Sequence, residues 1–199
     1  MSKIQVDTID TRSGTSTMQI GSTNTTTITL GVSGDTINVP SGVTIANAGT
    51  ATGFGQDNSP AFHAYANSSY IAISNDTYTT LACPNEAFDV GSAYNTSTYK
   101  FTPQTAGKYF VYANVVWDGN VNSQGALLLQ KNQSFSNPNF FRNTNYATAT
   151  SGIHVSGIID MNGSSDYIEA RVYHQQGGSV NLRNQGNENY FGGFLVTTT

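Results

Sequence analysis

Hydrophobic residues alternate with polar residues at every second position through much of the C-terminal part of the chain. The pattern is clearest after Gly107, where one face of the predicted strand carries Tyr109 and Val111. The opposite face carries Phe110 and Tyr112, so both faces are apolar. Because an antiparallel strand usually turns one face to water, a strand with two apolar faces needs a covering partner besides its own core.

The same alternation predicts a series of strands over residues 59–199, spaced by about ten residues. No stretch shows the period of a helix. Short strands with turns between them are typical of a two-sheet sandwich, which makes the predicted fold class all-β. The predicted strands are 60–66, 69–74, 77–82, 86–90, 98–101, 107–117, 125–131, 151–161, 166–174, 179–183 and 190–197.

Three of these strands, 107–117, 126–129 and 190–196, carry apolar residues on both faces. One face closes the core of the sandwich, and the other must be covered. A closed three-fold assembly covers it with one repeated interface, so the sequence predicts a homotrimer. The residues predicted for the core and the trimer interface are Tyr109, Phe110, Tyr112, Val116, Leu127, Leu128, Phe191 and Phe194.

Residues 1–55 form a separate predicted region, followed by a head domain at residues 56–199. Short apolar pairs such as Ile28-x-Leu30 recur in residues 1–55, most of them followed closely by a turn residue. One chain of such pairs buries too little surface to offset its ordering entropy, whereas three chains around one axis bury all of them. The pattern therefore predicts an extended β shaft or β-prism. The alternative is a disordered polar leader, because abundant Ser and Thr are also typical of disorder.

Several segments between residues 59 and 196 occur in an order that resembles a known family. They include 99–102 (YKFT), 106–110 (AGKYF) and 190–195 (YFGGFL). Together they resemble the globular head of the first complement component, subcomponent q, which shares its jelly roll with tumour necrosis factor. The resemblance implies a C-terminal jelly-roll head with both termini at one end. The sequence departs from the family pattern at residues 161–166, where the family has a tighter turn.

A second resemblance concerns residues 34–55, which are similar to stretches of tail-fibre and other appendage proteins of marine bacteriophages. It implies a structural virion protein, a trimeric tail fibre or spike whose head binds the host cell surface. The alternatives are a head fibre or capsid decoration protein and, as an enzyme, a glycan depolymerase. Because the N-terminus has no apolar signal region, we expect synthesis in the host cytoplasm and incorporation into the virion without a signal peptide.

The first residues are the predicted attachment to another virion protein. Ile4, Val6 and Ile9 stand among polar residues and predict a strand that adds to a partner. A frayed terminus is the alternative.

Composition narrows the partners further. Only 10% of residues are charged and the net charge is −4, with Lys and Arg scattered along the chain. Without a basic stripe, no nucleic-acid partner is predicted. No apolar run approaches the ~18 residues of a membrane span, so no membrane insertion is predicted. With one cysteine, Cys83, no intrachain disulfide can form.

No catalytic, cofactor or metal site is predicted. The sequence lacks a Gly-x-Ser-x-Gly nucleophile motif, and its carboxylates are interpreted as solvated surface groups. His63, His154 and His174 are far apart in sequence and alternate with apolar residues, as strand residues do, so no zinc site is assigned. Asp118 and Asp166 lie in loop-like sequence without the dense acidic string that binds calcium.

Loops rich in Asn, Gly and aromatic residues are the predicted ligand-binding surface, at 117–124, 137–146 and 175–189. Aromatic rings stack on the C–H faces of sugars and amides pair with hydroxyls, so a host-surface glycan is the predicted ligand, with a surface protein as the alternative. These residues also fit ordinary turns, with Trp117 partly buried at a trimer contact. The predicted receptor-binding residues are Trp117, Asn120, Asn184, Asn187 and Asn189.

Overall fold

The computed structural model of the protein describes residues 20, 23–24, 27–31, 33–44, 58–67, 70–119, 121–136, 140–147, 150–183, 185 and 188–199. Internal contacts divide the chain into two units, Met1–Thr52 and Gly53–Thr199. The division lies close to the predicted boundary after Gly55. The predicted attachment residues Ile4, Val6 and Ile9 lie outside the described residues.

In the first unit, the described residues form turns and extended chain. Their apolar side chains face solvent, with Ile28 48% exposed, Leu30 61% and Ile37 62%. One copy of the chain therefore leaves the apolar pairs without a covering partner. The shaft built from three copies stays a prediction.

The described residues of the second unit form thirteen strands and no helix, and thus no helix that could cross a membrane. Predicted and observed strands agree closely except at two places, described below. The strands are β1 (Ala61–Ala66), β2 (Ile71–Ile73), β3 (Thr79–Thr80), β4 (Asn85–Val90), β5 (Tyr94–Asn95), β6 (Lys100–Phe101), β7 (Ala106–Trp117), β8 (Val121–Lys131), β9 (Phe140–Ala147), β10 (Ser151–Asn162), β11 (Ile168–His174), β12 (Val180–Leu182) and β13 (Asn189–Thr198).

These strands form two antiparallel sheets, which confirms the predicted all-β sandwich. Sheet A has the order β2-β12-β7-β13-β1-β4. Strand β10 pairs with one edge of β7, and β12 and β13 pair with the opposite edge. Sheet B has the order β5-β6-β11-β8-β9, with β3 paired to β11. Strand β7 is the centre of sheet A, because β10 pairs with it from Ser151↔Trp117 to Asn162↔Ala106 while β13 pairs along its opposite edge.

Strands β5 and β9 were not predicted. β9 pairs with β8, from Gln130↔Phe140 to Val121↔Ala147, and contains Arg142, Asn143 and Thr144 in succession. Such a polar run shows no alternation, so pairing with β8 rather than side-chain pattern makes this segment a strand. The ring of Phe141 nevertheless lies against β10. An added Cβ at Gly157 would approach three of its ring carbons to 2.6 Å, so glycine at that position gives the ring its space.

The core lies between the inner faces of the two sheets. Phe62 stacks on Phe101 at 4.4 Å and on Tyr94 at 4.8 Å, and it meets Phe191 edge-on at 4.9 Å. Three of the residues predicted for the core or interface lie in this cluster, fully buried: Tyr109, Leu127 and Phe191.

The turn between β10 and β11, where the sequence departs from the family pattern, is closed by side chains. Asn162 Oδ1 accepts hydrogen bonds from the backbone N–H groups of residues 164–166, each at 3.0 Å. Gly163 has φ 69°, and an added Cβ there would lie 2.2 Å from Ala106 N. A side-chain acceptor and one glycine thus close this turn.

Asp166 joins this turn to the end of β8. Its carboxylate accepts hydrogen bonds from Asn132 Nδ2 at 2.8 Å, Lys131 Nζ at 3.0 Å and Asn162 N at 3.0 Å. Burial by itself raises the pKa of Asp166, but these hydrogen bonds together with the charge of Lys131 outweigh it, and the pKa lies below its usual value. A lowered pKa stabilises the fold above the unfolded-state pKa of about 4, and that stability is lost as the pH falls through the folded-state pKa.

We therefore expect Asp166→Asn to reduce the free energy of unfolding by about 1–3 kcal/mol at pH 7. The variant should also lose less stability than the wild type as the pH falls below about 4. Urea unfolding at several pH values measures both effects. Asp160→Asn is the matched control, because its 2.7 Å ion pair with Lys108 is largely exposed, and exposed pairs contribute little. Equal effects of the two substitutions would contradict the assigned role of Asp166.

Candidate functional site

The outer face of sheet A carries a surface of aromatic and aliphatic side chains. They alternate with the core residues along β1, β7, β10 and β13, and Phe88 of β4 pairs with His63. Phe110 lies 5.5 Å from Phe194 and 6.0 Å from Tyr112, measured between ring centroids. We call this surface the outer aromatic face. Its members are His63, Phe88, Phe110, Tyr112, Val116, Ile158, Tyr190 and Phe194.

A glycine shapes the centre of the outer aromatic face. Gly192 pairs with Tyr112, and an added Cβ there would lie 2.4 Å from Tyr112 Cζ, so only glycine lets the Tyr112 ring lie over β13. The Tyr112 hydroxyl is then 3.0 Å from His63 Nδ1. The His63 ring is also 5.4 Å from the Tyr190 ring and 6.4 Å from the Phe88 ring. An imidazole is thus enclosed by aromatic rings.

The outer aromatic face is electrostatically quiet. Burial lowers the pKa of His63 below its usual value. Burial, with a smaller contribution from Tyr190, raises the pKa of Tyr112. Both side chains are therefore neutral at neutral pH. The nearest ion pair along β7 is that of Lys108 with Asp160, and it leaves the aromatic centre uncharged. Such a face suits contact with another apolar surface.

The five predicted residues outside the main core divide between the two sheets. Phe110, Tyr112, Val116 and Phe194 lie on the outer aromatic face, where the first three are half-buried and Phe194 is 37% exposed. Leu128 instead lies on the outer face of sheet B, in a cluster covered by residues of the same chain. Strand β8 therefore has two apolar faces but needs no second copy to cover them. The covering residues packed on Ala126, Leu128 and Tyr173 are Tyr78 and Phe140.

The structure corrects two of the predicted receptor-binding residues. Trp117 is fully buried and meets the His174 ring edge-on at 5.7 Å, so its ring is not available to a ligand. Trp117 faces the core because it occupies the next core-facing position of β7 after Val115. Asn189 is 1% exposed and accepts a hydrogen bond from Val116 N at 2.9 Å while donating to Arg183 O. It is a structural bridge between β13 and β7. Asn120, Asn184 and Asn187 lie outside the described residues.

The histidines and the cysteine occupy separate environments. His154 is exposed on β10, whereas His174 is buried with Nε2 2.9 Å from Ile73 O. Cys83 is a buried free thiol, and burial raises its pKa to about 12. Among the residues that the structure describes, no group of three or more His, Cys, Asp or Glu side chains is arranged to hold a metal ion.

Comparison with known proteins identifies the architecture. No family model and no curated protein sequence matches the chain. The globular domain of zebrafish complement 1qA aligns with a TM-score of 0.51 at 18% identity, covering 70% of this chain and 98% of that domain. Eiger TNF from S. frugiperda aligns with a TM-score of 0.51 at 13% identity, covering 70% and 93%. Murine APRIL at pH 8.0 aligns with a TM-score of 0.53 at 12% identity, covering 68% and 98%.

At these identities the comparisons establish the fold. The expected resemblance to the complement head is confirmed at that level, and the second unit of the chain is a jelly-roll sandwich of the type shared by complement and tumour necrosis factor heads.

Proposed function

We propose that the protein is a homotrimeric binding protein that assembles through the outer aromatic face of sheet A. The observation that carries this proposal is the exposure of large apolar side chains on that face in a single chain: Phe88 47%, Ile158 50% and Phe194 37%. Contiguous apolar surface of this kind marks an interaction site. A closed three-fold assembly buries it with one repeated contact and leaves no copy with an open interface.

The first unit supports the same stoichiometry independently. Its apolar pairs are exposed in one chain, with Leu30 at 61% and Val43 at 58%. Three parallel copies would bury these pairs against each other and offset the entropy of ordering so polar a segment.

The proposed role is that of a virion appendage, a tail fibre or spike, whose head binds a glycan on the host surface. The similarity of residues 34–55 to bacteriophage appendage proteins supports the setting. The low content of charged residues, 10%, suits neutral sugars, which offer hydroxyls rather than ions. Trimerisation places three copies of each site on one particle, so weak individual binding gains avidity on a repetitive surface. Catalysis is not part of this role.

Light scattering tests the assembly. The full chain should have about three times the 21.2 kDa mass of one copy. Ile158→Asp should shift it to monomer, because the substitution places a carboxylate in the interface while leaving the core untouched. Tyr70→Asp is the matched control, since Tyr70 is 58% exposed and lies outside the outer aromatic face. A wild-type monomer at micromolar concentration, or a trimer of Ile158→Asp as stable as that of the control, would overturn the proposed interface.

His63 makes the assembly sensitive to acid. Its pKa is lowered by burial, so the folded chain favours the neutral imidazole. Stability from this group is complete above the unfolded-state pKa of about 6.5 and is lost as the pH falls through the folded-state pKa. The ionisable groups facing His63 are the phenols of Tyr112 and Tyr190, which supply no negative charge at this pH.

We accordingly expect the trimer to weaken between pH 7 and pH 5, and His63→Gln to reduce this dependence. Sedimentation velocity across the pH range measures it. His154→Gln measures the separate contribution of the second histidine on the same outer face, opposite Asn114 of β7. If His63→Gln and the wild type have the same profile, another group controls the response.

The role is tested on particles and cells. Antibody labelling of intact virions should locate the protein on the tail, and fluorescently labelled protein should adsorb to host cells. Labelling confined to the capsid, with no adsorption, would favour a decoration protein. Release of reducing ends from host polysaccharide would instead identify a depolymerase.

A further inference from the structure

A series of aromatic rings lies on the outer face of sheet B, which assembly through sheet A leaves uncovered. Tyr173 stacks on Tyr78 at 4.5 Å, and Tyr78 meets the ring of Phe135 at 5.0 Å. Phe135 is in turn 5.5 Å from Phe140. Tyr173 is 7% exposed at the inner end of the series, and Phe135 is 53% exposed at the outer end. The series of rings therefore runs from a buried ring to a solvent-exposed ring.

A buried amide, that of Gln130, holds the backbone at Ser134, next to Phe135. Gln130 is fully buried, and its Nε2 donates to Ser134 O at 3.1 Å. Asn132 N donates to Tyr167 O at 3.0 Å, which holds the start of the same loop against β11. An exposed aromatic ring on a fixed loop loses little conformational entropy when it binds a ligand.

Arg171 lies beside the Tyr78 ring, with Cζ 5.5 Å from the ring centroid, and Glu169 lies two residues away on β11; each has unused hydrogen-bonding capacity. Arg171 donates from Nη2 to Tyr78 O at 2.7 Å and from Nη1 to Gln130 Oε1 at 3.3 Å, while its buried Nε–H has no partner. Glu169 is 1% exposed, and its Oε2 accepts a hydrogen bond from Thr80 Oγ1 at 3.2 Å. Its buried Oε1 has no partner.

Buried polar atoms without partners are rare, and those that occur usually meet water or a ligand. Here one is a donor and one is an acceptor, on neighbouring same-face positions of β11. A simple anion would satisfy only the donor, and a cation only the acceptor. A hydroxyl group both donates and accepts, so it can pair with either atom.

We propose that the Phe135–Tyr78 rings and the Glu169–Arg171 pair form a saccharide-binding site on each copy. The exposed ring of Phe135 stacks on the C–H face of a sugar. Sugar hydroxyls pair with Glu169 Oε1 and Arg171 Nε as the covering side chains move apart. This inference rests on the proposed role in host-surface binding and assigns that binding to the side of the head instead of to the predicted loops.

Titration of the full-length protein with neutral oligosaccharides tests the site. The probes are maltohexaose, laminarihexaose, cellohexaose, mannohexaose and chitohexaose, followed by saturation-transfer NMR. We expect saturation transfer to at least one probe and a loss of affinity of about tenfold or more in Phe135→Ala, as one stacked ring is removed. Tyr70→Ala, which removes a ring of similar exposure elsewhere, should bind like the wild type.

Glu169→Gln gives a second measurement, because it keeps the shape of the side chain and replaces one acceptor oxygen by a donor. It should weaken saccharide binding while the melting temperature stays at or above that of the wild type. Failure of every probe to bind the wild type, or wild-type affinity in Phe135→Ala, would overturn the site. Adsorption to host cells that is abolished by protease but not by periodate would assign the ligand to protein and overturn it too.

Two outcomes of these experiments distinguish a failure of the saccharide site from a failure of the proposed function. If the wild-type protein is trimeric and adsorbs to cells, and Phe135→Ala adsorbs equally well, the saccharide site is wrong and the proposed function stands. If the protein is monomeric but binds saccharide through Phe135, the proposed assembly is wrong and the saccharide site stands.

Discussion

The structure depends on strand β7, which is enclosed on three of its four sides within one chain. Its two backbone edges are paired with β10 and β13, and its inner face supplies Tyr109, Val111 and Trp117 to the core. The fourth side is the apolar outer face. Edge pairing and inner packing cannot be satisfied without presenting that outer face to the surroundings, because successive side chains of a strand point in opposite directions. Alternation creates this second face, and the residues Phe110, Tyr112 and Val116 make it apolar.

Close approach between strands and rings is achieved by glycine rather than by bending. Gly192 admits the Tyr112 ring on the outer face of sheet A, and Gly157 admits the Phe141 ring on the inner face. A side chain at either position would displace an aromatic ring and disturb the sheet's surface locally. Part of the high glycine content, 20 residues, is therefore a packing requirement of this sandwich in addition to a requirement of its turns.

Most of the fold could be predicted from the sequence because alternation records which face of a strand is buried. The long strands β7 and β10 follow that rule over their full length. The rule fails for β9, whose polar run is a strand only because β8 offers a free edge. Site prediction was weaker for a related reason. Trp117 and Asn189 were assigned to loops, but tertiary contacts bury both. The Phe135–Arg171 arrangement joins segments that no local pattern connects.

Hydrogen bonds from two parts of the chain hold the end of β8 and the residues that follow it. Lys131 and Asn132 bind the carboxylate of Asp166 and the backbone of Tyr167, while Gln130 holds the backbone at Ser134. These hydrogen bonds constrain the chain length from Lys131 to Ser134. An insertion or deletion between Lys131 and Ser134 would therefore break these hydrogen bonds and displace the adjoining Phe135.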